Sequence, residues 1–310
     1  MRLIIAVGGN SLIRSGQRGT MEEQWENINA TARAIAELSA AGHEILITHG
    51  NGPQVGNLLL MSDKTAELPE LPLDYWGANT QGGIGYQLQS AVHTELRRRG
   101  LKRRVAAVVS RVEVRPDDPA FDDPTKPVGP FFDRETAERY AAENDWVVRE
   151  DAGRGWRRVV PSPKPVSFVE LAVVRSMLES GVVTIAVGGG GIPVVANGDG
   201  TYRGVEAVID KDRASCLTAR LLEADMLVIS TDVANVMLDY GTPRARPLER
   251  VGAAELTAFR DAGHFAPGSM GPKIEAALEF IEAGGSAVVI TDPGHLVAGV
   301  SGAGGTFVTA

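Results

Sequence analysis

The sequence predicts an α/β protein built on an open, mainly parallel sheet with helices on both faces. Short apolar runs that are typical of buried strands alternate with longer segments in which apolar residues recur every three or four positions. Such repeated strand–helix units favour a parallel sheet. Three of the apolar runs end directly in glycine-rich turns. We therefore expect the backbone N–H groups of these turns to gather at one edge of the sheet.

The first part of the chain supplies three strands and three helices to this αβα sandwich. Apolar residues recur at helical spacing in the first helix from Trp25 to Leu38, and Gly42 ends it. The third helix ends in three arginines, which suit the negative end of a helix dipole. The predicted strands are 3–7, 45–48 and 105–110, and the predicted helices are 21–41, 54–64 and 80–100.

A segment rich in proline and tryptophan interrupts the alternation between about residues 114 and 165, and we call it the insert. Prolines at this density prevent long helices, while its aromatic residues indicate a small core of its own. We interpret it as a protruding lid subdomain within one domain, 1–310. After the insert, the predicted helices are 169–180, 214–223, 253–262 and 273–284, and the predicted strands are 182–187, 226–230, 234–238 and 287–291.

Composition is that of a globular enzyme without a bulk electrostatic attraction to polyanions. The chain has 310 residues, 44% of them hydrophobic, and a net charge of −8, which argues against nucleic acid or an anionic membrane as a partner. No apolar run approaches the roughly 20 residues that span a bilayer, and the first residues lack a signal-peptide pattern. We expect a cytoplasmic protein. A single cysteine, Cys216, excludes an internal disulfide and a cysteine-cluster metal site.

The glycine turns predict a phosphate-binding edge. A Cβ atom would block both the positive-φ conformations and the close approach of backbone to an oxyanion, so glycine is favoured where N–H groups surround a phosphate. The turns are Gly8-Gly9-Asn10, His49-Gly50-Asn51-Gly52-Pro53 and Gly188 to Gly191.

Three lysines are candidates for charge neutralisation, and only six of the 31 basic residues are lysines. Lys211 lies between Asp210 and Asp212 at a predicted helix start. This cluster is either a helix cap, with Asp210 as the N-cap, or a site in which Asp212 orients Lys211 toward a phosphoryl group. Lys273 opens a helix, where a cation is electrostatically misplaced unless an anion binds there. Lys126 is flanked by prolines, which fit a structural turn or a rigidly mounted cation equally well.

The remaining polar residues narrow the chemistry to phosphoryl transfer. We favour pairing of Arg154 and Arg157 with carboxylates of the insert, and a hydrogen-bonded turn role for His49. The other histidines show no metal-ligand spacing. Neither Gly-x-x-x-x-Gly-Lys-Ser/Thr nor Gly-x-Gly-x-x-Gly after the first strand is present. Several lysines and glycine turns without a metal cluster are typical of a small-molecule phosphotransferase.

At the level of motifs the chain resembles the carbamate kinases of the amino acid kinase superfamily over essentially its whole length. The Asp-Lys-Asp segment and the first glycine turn are shared across the superfamily, whereas the segments of the insert and around Ser269 are more specific to carbamate kinases. The matching segments are 6–10, 49–57, 80–86, 124–131, 150–157, 161–165, 188–193, 204–212 and 264–273.

The resemblance implies the amino acid kinase fold, a homodimer, and reversible phosphoryl transfer between carbamoyl phosphate with ADP and ATP with carbamate, using Mg²⁺, in arginine or carbamoyl phosphate catabolism. It implies catalytic roles for Lys211, Asp212, Lys273 and Lys126. The carbamate end would contact Gly8, Gly9, Asn10, Gly50, Asn51, Gly52 and Pro53 in the part of the chain up to about 187. The nucleotide would contact Gly188, Gly189, Gly190, Thr231, Asp232, Met270, Lys211 and Lys273 in the part from 188 to 310.

Two alternatives stay open at this point. A kinase for another small acid of the same superfamily would lack the proline-rich insert. A non-catalytic carbamoyl-phosphate sensor would be expected to have lost Lys211, Asp212 or Lys273, and all three are present.

Overall fold

The computed structural model describes residues 1–9, 12–13, 16–63, 71–151, 155–266 and 268–310, without the side chain of Asp63. Asn10 and Arg154, both singled out from the sequence, lie outside the described residues. Within the described residues the helices are α1 (Met21–Ala40), α2 (Gly52–Asp63), α3 (Leu73–Arg98), α4 (Arg134–Asn144), α5 (Leu171–Glu179), α6 (Lys211–Leu221), α7 (Ala253–Asp261), α8 (Gly271–Glu282) and α9 (Leu296–Val300).

The strands are short and mostly buried. In chain order they are β1 (Arg2–Val7), β2 (Glu44–His49), β3 (Val105–Ala107), β4 (Arg111–Val114), β5 (Lys126–Phe132), β6 (Val147–Glu150), β7 (Trp156–Val160), β8 (Pro165–Phe168), β9 (Val183–Ile185), β10 (Ile192–Ala196), β11 (Tyr202–Gly204), β12 (Met226–Ser230), β13 (Met237–Leu238), β14 (Arg246–Pro247), β15 (Arg250–Gly252), β16 (Ala287–Thr291) and β17 (Thr306–Thr309).

An eight-stranded sheet forms the centre of the fold, in the order β15-β17-β16-β12-β1-β2-β9-β3. Neighbouring strands are parallel except at β16 and β17, which pair antiparallel. Val7 pairs with His49 on one side and with Ser230 on the other. Ser230 in turn pairs with Thr291. The carboxyl ends of β1, β2, β12 and β16 are therefore level, and the segments that follow them share one edge of the sheet.

Two hydrophobic cores cover the two faces of this sheet, because alternate residues of each strand point to opposite sides. In β1, Ile4 packs with α5, α6 and α8 on one face. Leu3 and Ile5 pack with α1, α3 and α9 on the other. The predicted αβα sandwich is confirmed.

Three predicted elements differ from the observed ones, and some observed strands were not predicted. Helix α3 begins at Leu73, seven residues before the predicted start at 80. The predicted strand 105–110 leaves the central sheet after Ala107, and the chain enters a second sheet as β4. That second sheet has the order β11-β10-β4-β8, and neither β10 nor β11 was predicted. The strand predicted at 234–238 shortens to β13. The apolar run 105–109 continues past the end of β3, so local composition does not show the change of sheet, which pairing partners alone decide.

The insert folds into a three-stranded antiparallel sheet, β5-β7-β6, with helix α4. Helix α4 occupies the proline-free interval of the insert. Tyr140 of this helix packs against Phe132, with ring centroids 5.2 Å apart, and against Trp146, at 5.5 Å. Val128 of the insert also packs with Val55 of α2 and other buried residues, so β5 lies directly against the body of the protein.

Among the described residues, no helix combines the length and the apolar character needed to cross a bilayer.

Candidate active site

A cleft of about 680 Å³ opens at the edge of the sheet where the strands end. Its walls come from the turns after β1 and β2, the glycine turn after β9, the first residues of α6 and α8, and β5 of the insert. It brings together most of the residues predicted from the sequence. Those that line it are Gly8, Gly9, Gly50, Asn51, Gly52, Pro53, Lys126, Gly189, Lys211, Asp212, Thr231 and Lys273.

One buried carboxylate links the two lysines that were predicted at helix starts. Oδ1 of Asp212 accepts a hydrogen bond from Nζ of Lys211, and its Oδ2 lies 3.2 Å from Nζ of Lys273. The Lys273 ammonium also donates to the carbonyl of Ser269 at 3.2 Å. The first residues of α6 and α8 are thus joined by Asp212, whose side chain is only 5% exposed.

The charges of these three side chains shift one another's pKa. Burial disfavours the Asp212 carboxylate, but the ammonium groups of Lys211 and Lys273 outweigh it and lower the pKa of Asp212. Burial lowers the pKa of Lys211, and Lys273 lowers it further, while Asp212 opposes the change. An incoming phosphate would therefore meet two cations whose positions one carboxylate fixes, which is the arrangement that stabilises a transferring phosphoryl group.

Asp210 makes two kinds of contact, one of which is the helix cap that was predicted as one alternative for the Asp-Lys-Asp segment. Its Oδ1 caps α6 by accepting from the backbone N–H groups of Asp212 at 2.9 Å and Arg213 at 3.3 Å. Its Oδ2 accepts a hydrogen bond from Nζ of Lys126 at 2.7 Å. Burial alone would raise the pKa of Asp210, but the charge and hydrogen bond of Lys126, together with the charge of Lys211, outweigh burial and lower the pKa. Lys126 thereby joins the insert to the start of α6 across the cleft.

The glycine turn after β9 has an unusual backbone. Gly189, Gly190 and Gly191 have φ values of +66°, +94° and +89°. A Cβ atom on Gly189 would collide with the side-chain amide of Asn51, and one on Gly188 with the ring of His49. This turn needs glycine both for its conformation and for the close approach of its neighbours.

His49 and Asn51 hold the turn after β2. Nδ1 of His49 lies 3.0 Å from the carbonyl oxygen of Gly50, which it contacts as a donor. Burial lowers the pKa of His49 to about 4, so the ring is neutral at physiological pH. Nδ2 of Asn51 donates to Oγ1 of Thr80 at 2.8 Å. His49 is a hydrogen-bonded turn residue, as the sequence suggested.

Not every predicted residue reaches the cleft. Gly188 and Gly190 are buried in the glycine turn. Met270 packs against the core that contains Ile4, α6 and α8. Asp232 is exposed beside Thr231. A role for these four in nucleotide binding stays a prediction.

Sequence reasoning missed Arg18 and assigned Arg157 to pairing within the insert rather than to the cleft wall. Arg18 and Arg157 both line it. Arg157 contacts Oδ2 of Asp151 at 3.1 Å, a carboxylate of the insert, and the carbonyl of Gly129 at 2.9 Å. The predicted pairing partner is therefore present, but Arg157 also lines the cleft. Its position in an Arg-rich segment of the insert was the signal available in the sequence.

The described residues do not form a protein cage for a metal ion. No three His, Cys, Asp or Glu side chains among them come together, and the carboxylates of Asp210 and Asp212 contact lysines. Mg²⁺ retains water and usually binds through substrate phosphates with few protein ligands. This donor set therefore fits a Mg²⁺ ion that is held mainly by nucleotide phosphates.

Fold and cleft together define a phosphotransferase of the α/β class, with lysines and glycine turns at the carboxyl edge of a parallel sheet. Residues 1–292 match the model of the amino acid kinase family, and the chain belongs to that family. It is 49% identical to the carbamate kinase of Pyrococcus furiosus, over 99% of this chain and 98% of that one. The carbamate kinase of Pyrococcus horikoshii is also 49% identical, over 99% of both chains.

A solved structure agrees in shape as well as in sequence. The carbamate kinase of Giardia lamblia bound to AMP-PNP superposes with a TM-score of 0.92 at 39% identity, over 99% of this chain and 98% of that chain. The fold and the family predicted from the motifs are confirmed.

Proposed function

We propose that this protein is a carbamate kinase that interconverts carbamoyl phosphate with ADP and ATP with carbamate. The observation that carries the proposal is the buried carboxylate of Asp212 between Lys211 and Lys273, at the edge where the glycine turns meet. Full-length similarity to carbamate kinases supports the choice of substrate.

In the direction of ATP formation, a terminal phosphate oxygen of ADP attacks the phosphorus of carbamoyl phosphate. The new oxygen–phosphorus bond forms as the bond between phosphorus and the carbamate oxygen breaks, and carbamate leaves with the electron pair. Lys211 and Lys273 neutralise the charge that develops on the phosphoryl oxygens, and Asp212 keeps both ammonium groups in place. Proton transfer is not required, which agrees with a neutral His49 outside the cleft lining.

The two substrates would occupy opposite ends of the cleft. Carbamate is small, planar and anionic, so short backbone donors can surround it, and we assign it to Gly8, Gly9, Asn10 and the turn of residues 50–53. We assign the nucleotide to the side formed by residues 188–310, including Gly189 and Thr231. Mg²⁺ would bind with the nucleotide phosphates and offset part of their charge.

The insert would act as a lid over the carbamate end. Lys126 reaches the cleft from β5 and contacts Asp210 across it. Closure there would exclude water, in which carbamate decomposes, and would add one cation near the substrate. The homodimer and the cytoplasmic location stay predictions.

The direct test is ATP formation by the purified chain from carbamoyl phosphate, ADP and Mg²⁺, measured with a coupled luminescence assay. We expect ATP formation that depends on all three. ATP consumption with N-acetylglutamate as acceptor tests the alternative of another small-acid kinase. Turnover of N-acetylglutamate without turnover of carbamoyl phosphate would replace the proposal with that alternative.

A further inference from the structure

A buried glutamine of α3 contacts the glycine turn from behind the cleft. Nε2 of Gln81 donates to the carbonyl oxygens of Gly188 and Ser110, both at 3.0 Å. Its Oε1 accepts from the backbone N–H of Ser110 at 2.7 Å. Gln81 is 4% exposed, and it does not line the cleft. Its amide group therefore connects α3 with Ser110, which lies between β3 and β4, and with the glycine turn.

Ser110 extends this contact to the residue before the glycines. Its Oγ accepts from the backbone N–H of Val187 at 3.0 Å and donates to the carbonyl of Val108 at 2.7 Å. Gln81 and Ser110 together therefore contact both Val187 and Gly188, where the chain turns away from β9.

Val187 adopts a conformation that is costly for its type. Its φ and ψ are +55° and +34°, in the left-handed region that a β-branched residue rarely enters. Such a backbone conformation is unfavourable and persists only where the surroundings enforce it. The side chain of Val187 is fully buried. The polar part of that enforcement is the hydrogen bond from the Val187 N–H to Ser110, the one from Gly190 to the Val187 carbonyl, and the contact of Gln81 with the next residue, Gly188.

The strained turn places a residue with an unused backbone donor in the cleft wall. Gly189 lines the cleft, and within the part of the chain that the structure describes its N–H donates to no other residue, whereas the N–H groups of Gly190 and Gly191 close the turn by donating to Val187 and Gly188. A Cβ atom on Gly189 would also strike the amide of Asn51. Small shifts of this turn would therefore move a donor relative to the neighbouring wall of the site.

We propose that Gln81 is a positioning residue for phosphoryl transfer: by holding the carbonyl of Gly188, it directs the N–H of Gly189 at the phosphoryl group. This inference rests on the proposed function. Gln81 touches no substrate and acts through the turn. Because a displacement of about 1 Å can cost about 100-fold in rate, we expect its loss to affect kcat more than the binding of either substrate.

The test compares Gln81→Met with Leu88→Ala in the same helix, both assayed as the full chain well below their melting temperatures. Leu88 is fully buried in the core on the α3 face of the sheet, and its truncation should lower the melting temperature without touching the turn. We expect Gln81→Met to lower kcat by roughly 10-fold to 100-fold, with KM for ADP within threefold of wild type. Leu88→Ala should keep kcat near that of the wild type.

Two further variants keep the test decisive if Gln81→Met folds poorly. Ser110→Ala, which removes the acceptor for Val187, should lower kcat in the same way by a smaller factor. In Gln81→Glu the ionised carboxylate would lie against the carbonyl oxygens of Ser110 and Gly188 and could donate to neither of them. The protonated acid can donate to one. The kcat of this variant relative to wild type should therefore rise as the pH falls from 8 to 6.

Each outcome has a clear meaning. A kcat within threefold of wild type for Gln81→Met, losses that match those of Leu88→Ala, or a pH-independent ratio for Gln81→Glu would overturn the positioning role. Wild-type enzyme that forms no ATP in the same assay would overturn the proposed function, and the inference with it.

Discussion

The carboxyl edge of the central sheet and the insert form opposite walls of one cleft, and they are built differently. At the edge, Lys211 and Asp212 have side chains only 14% and 5% exposed, and Gly189 lies in a tightly packed turn. In the insert, Lys126 has a side chain 35% exposed, on a three-stranded sheet of its own, and reaches the edge by its contact with Asp210.

This difference separates two tasks of a phosphotransferase. Groups at the edge are fixed by the sheet, by helix starts and by buried hydrogen bonds, so they can act on a transition state without further reorganisation. We propose that the insert contributes a cation, Lys126, that exchanges its contact with Asp210 for one with the substrate. We therefore expect edge substitutions to lower kcat and substitutions in the insert to weaken substrate binding.

Removing a cation from the edge should have the largest effect. Lys273→Ala should lower kcat by on the order of 10² or more with the fold intact, because its charge acts mainly in the transition state. Steady-state kinetics with carbamoyl phosphate and ADP measure the effect, and circular dichroism checks the fold. Lys102→Ala, an exposed lysine between α3 and β3, is the matched control. A kcat for Lys273→Ala within threefold of wild type would remove Lys273 from the mechanism.

A second prediction concerns whether the edge acts as one unit. Asp212→Asn should be nearly as damaging as Lys211→Ala, and the double variant little worse than either, because their side chains form one ion pair. The measurement is kcat for the three variants under identical conditions. If the losses in kcat of the two single variants multiply in the double variant, Asp212 serves only as part of the helix start.

A methyl group tests how closely the edge is packed. Gly189→Ala should lower kcat by roughly 10-fold to 100-fold, because the new Cβ would displace Asn51 at a φ of +66°. Gly198→Ala is the matched control, since Gly198 has a φ of +82° with nothing within 4 Å of the added atom. Equal kinetics for the two variants would mean that the turn tolerates the shift.

Much of the edge could be predicted from sequence, because local signals encode it. Apolar runs identified β1, β2 and β12, and glycines after the first two marked the turns. Lys273 was conspicuous because a cation at a helix start is unfavourable without a ligand. A parallel sheet predicts that the carboxyl ends of these strands lie level with one another. The observed pairing of Val7 with both His49 and Ser230 confirms this.

What escaped prediction depends on contacts between distant parts of the chain. Gln81 contacts Ser110 and Gly188 across 29 and 107 positions, and Lys126 contacts Asp210 across 84. No periodicity or motif reports such pairs. The change of sheet after Ala107 was missed for the same reason, since strand partners rather than local composition decide it.

The smallest expected effect comes from the burial of His49 and appears in the free energy of unfolding rather than in kcat. Burial lowers the pKa of His49 from 6.5 to about 4, so the unfolded chain binds a proton that the folded chain does not between these pH values. The free energy of unfolding should be fully maintained above pH 6.5 and fall toward pH 4, by up to about 1.4 kcal/mol for each pH unit. Denaturant unfolding of wild type and His49→Asn measures it. Parallel pH curves for the two proteins would show that His49 titrates normally.

The central claim is that the edge governs the chemical step and the insert governs binding at the carbamate end. Lys126→Ala tests it most directly, with Lys164→Ala as a control for an exposed lysine near the end of the insert. We measure kcat and both KM values beside those of Lys273→Ala. The account predicts that Lys126→Ala raises KM for carbamoyl phosphate by on the order of tenfold or more with little change in KM for ADP, while Lys273→Ala mainly lowers kcat. Equal effects of Lys126→Ala on both substrates, or none, would contradict it.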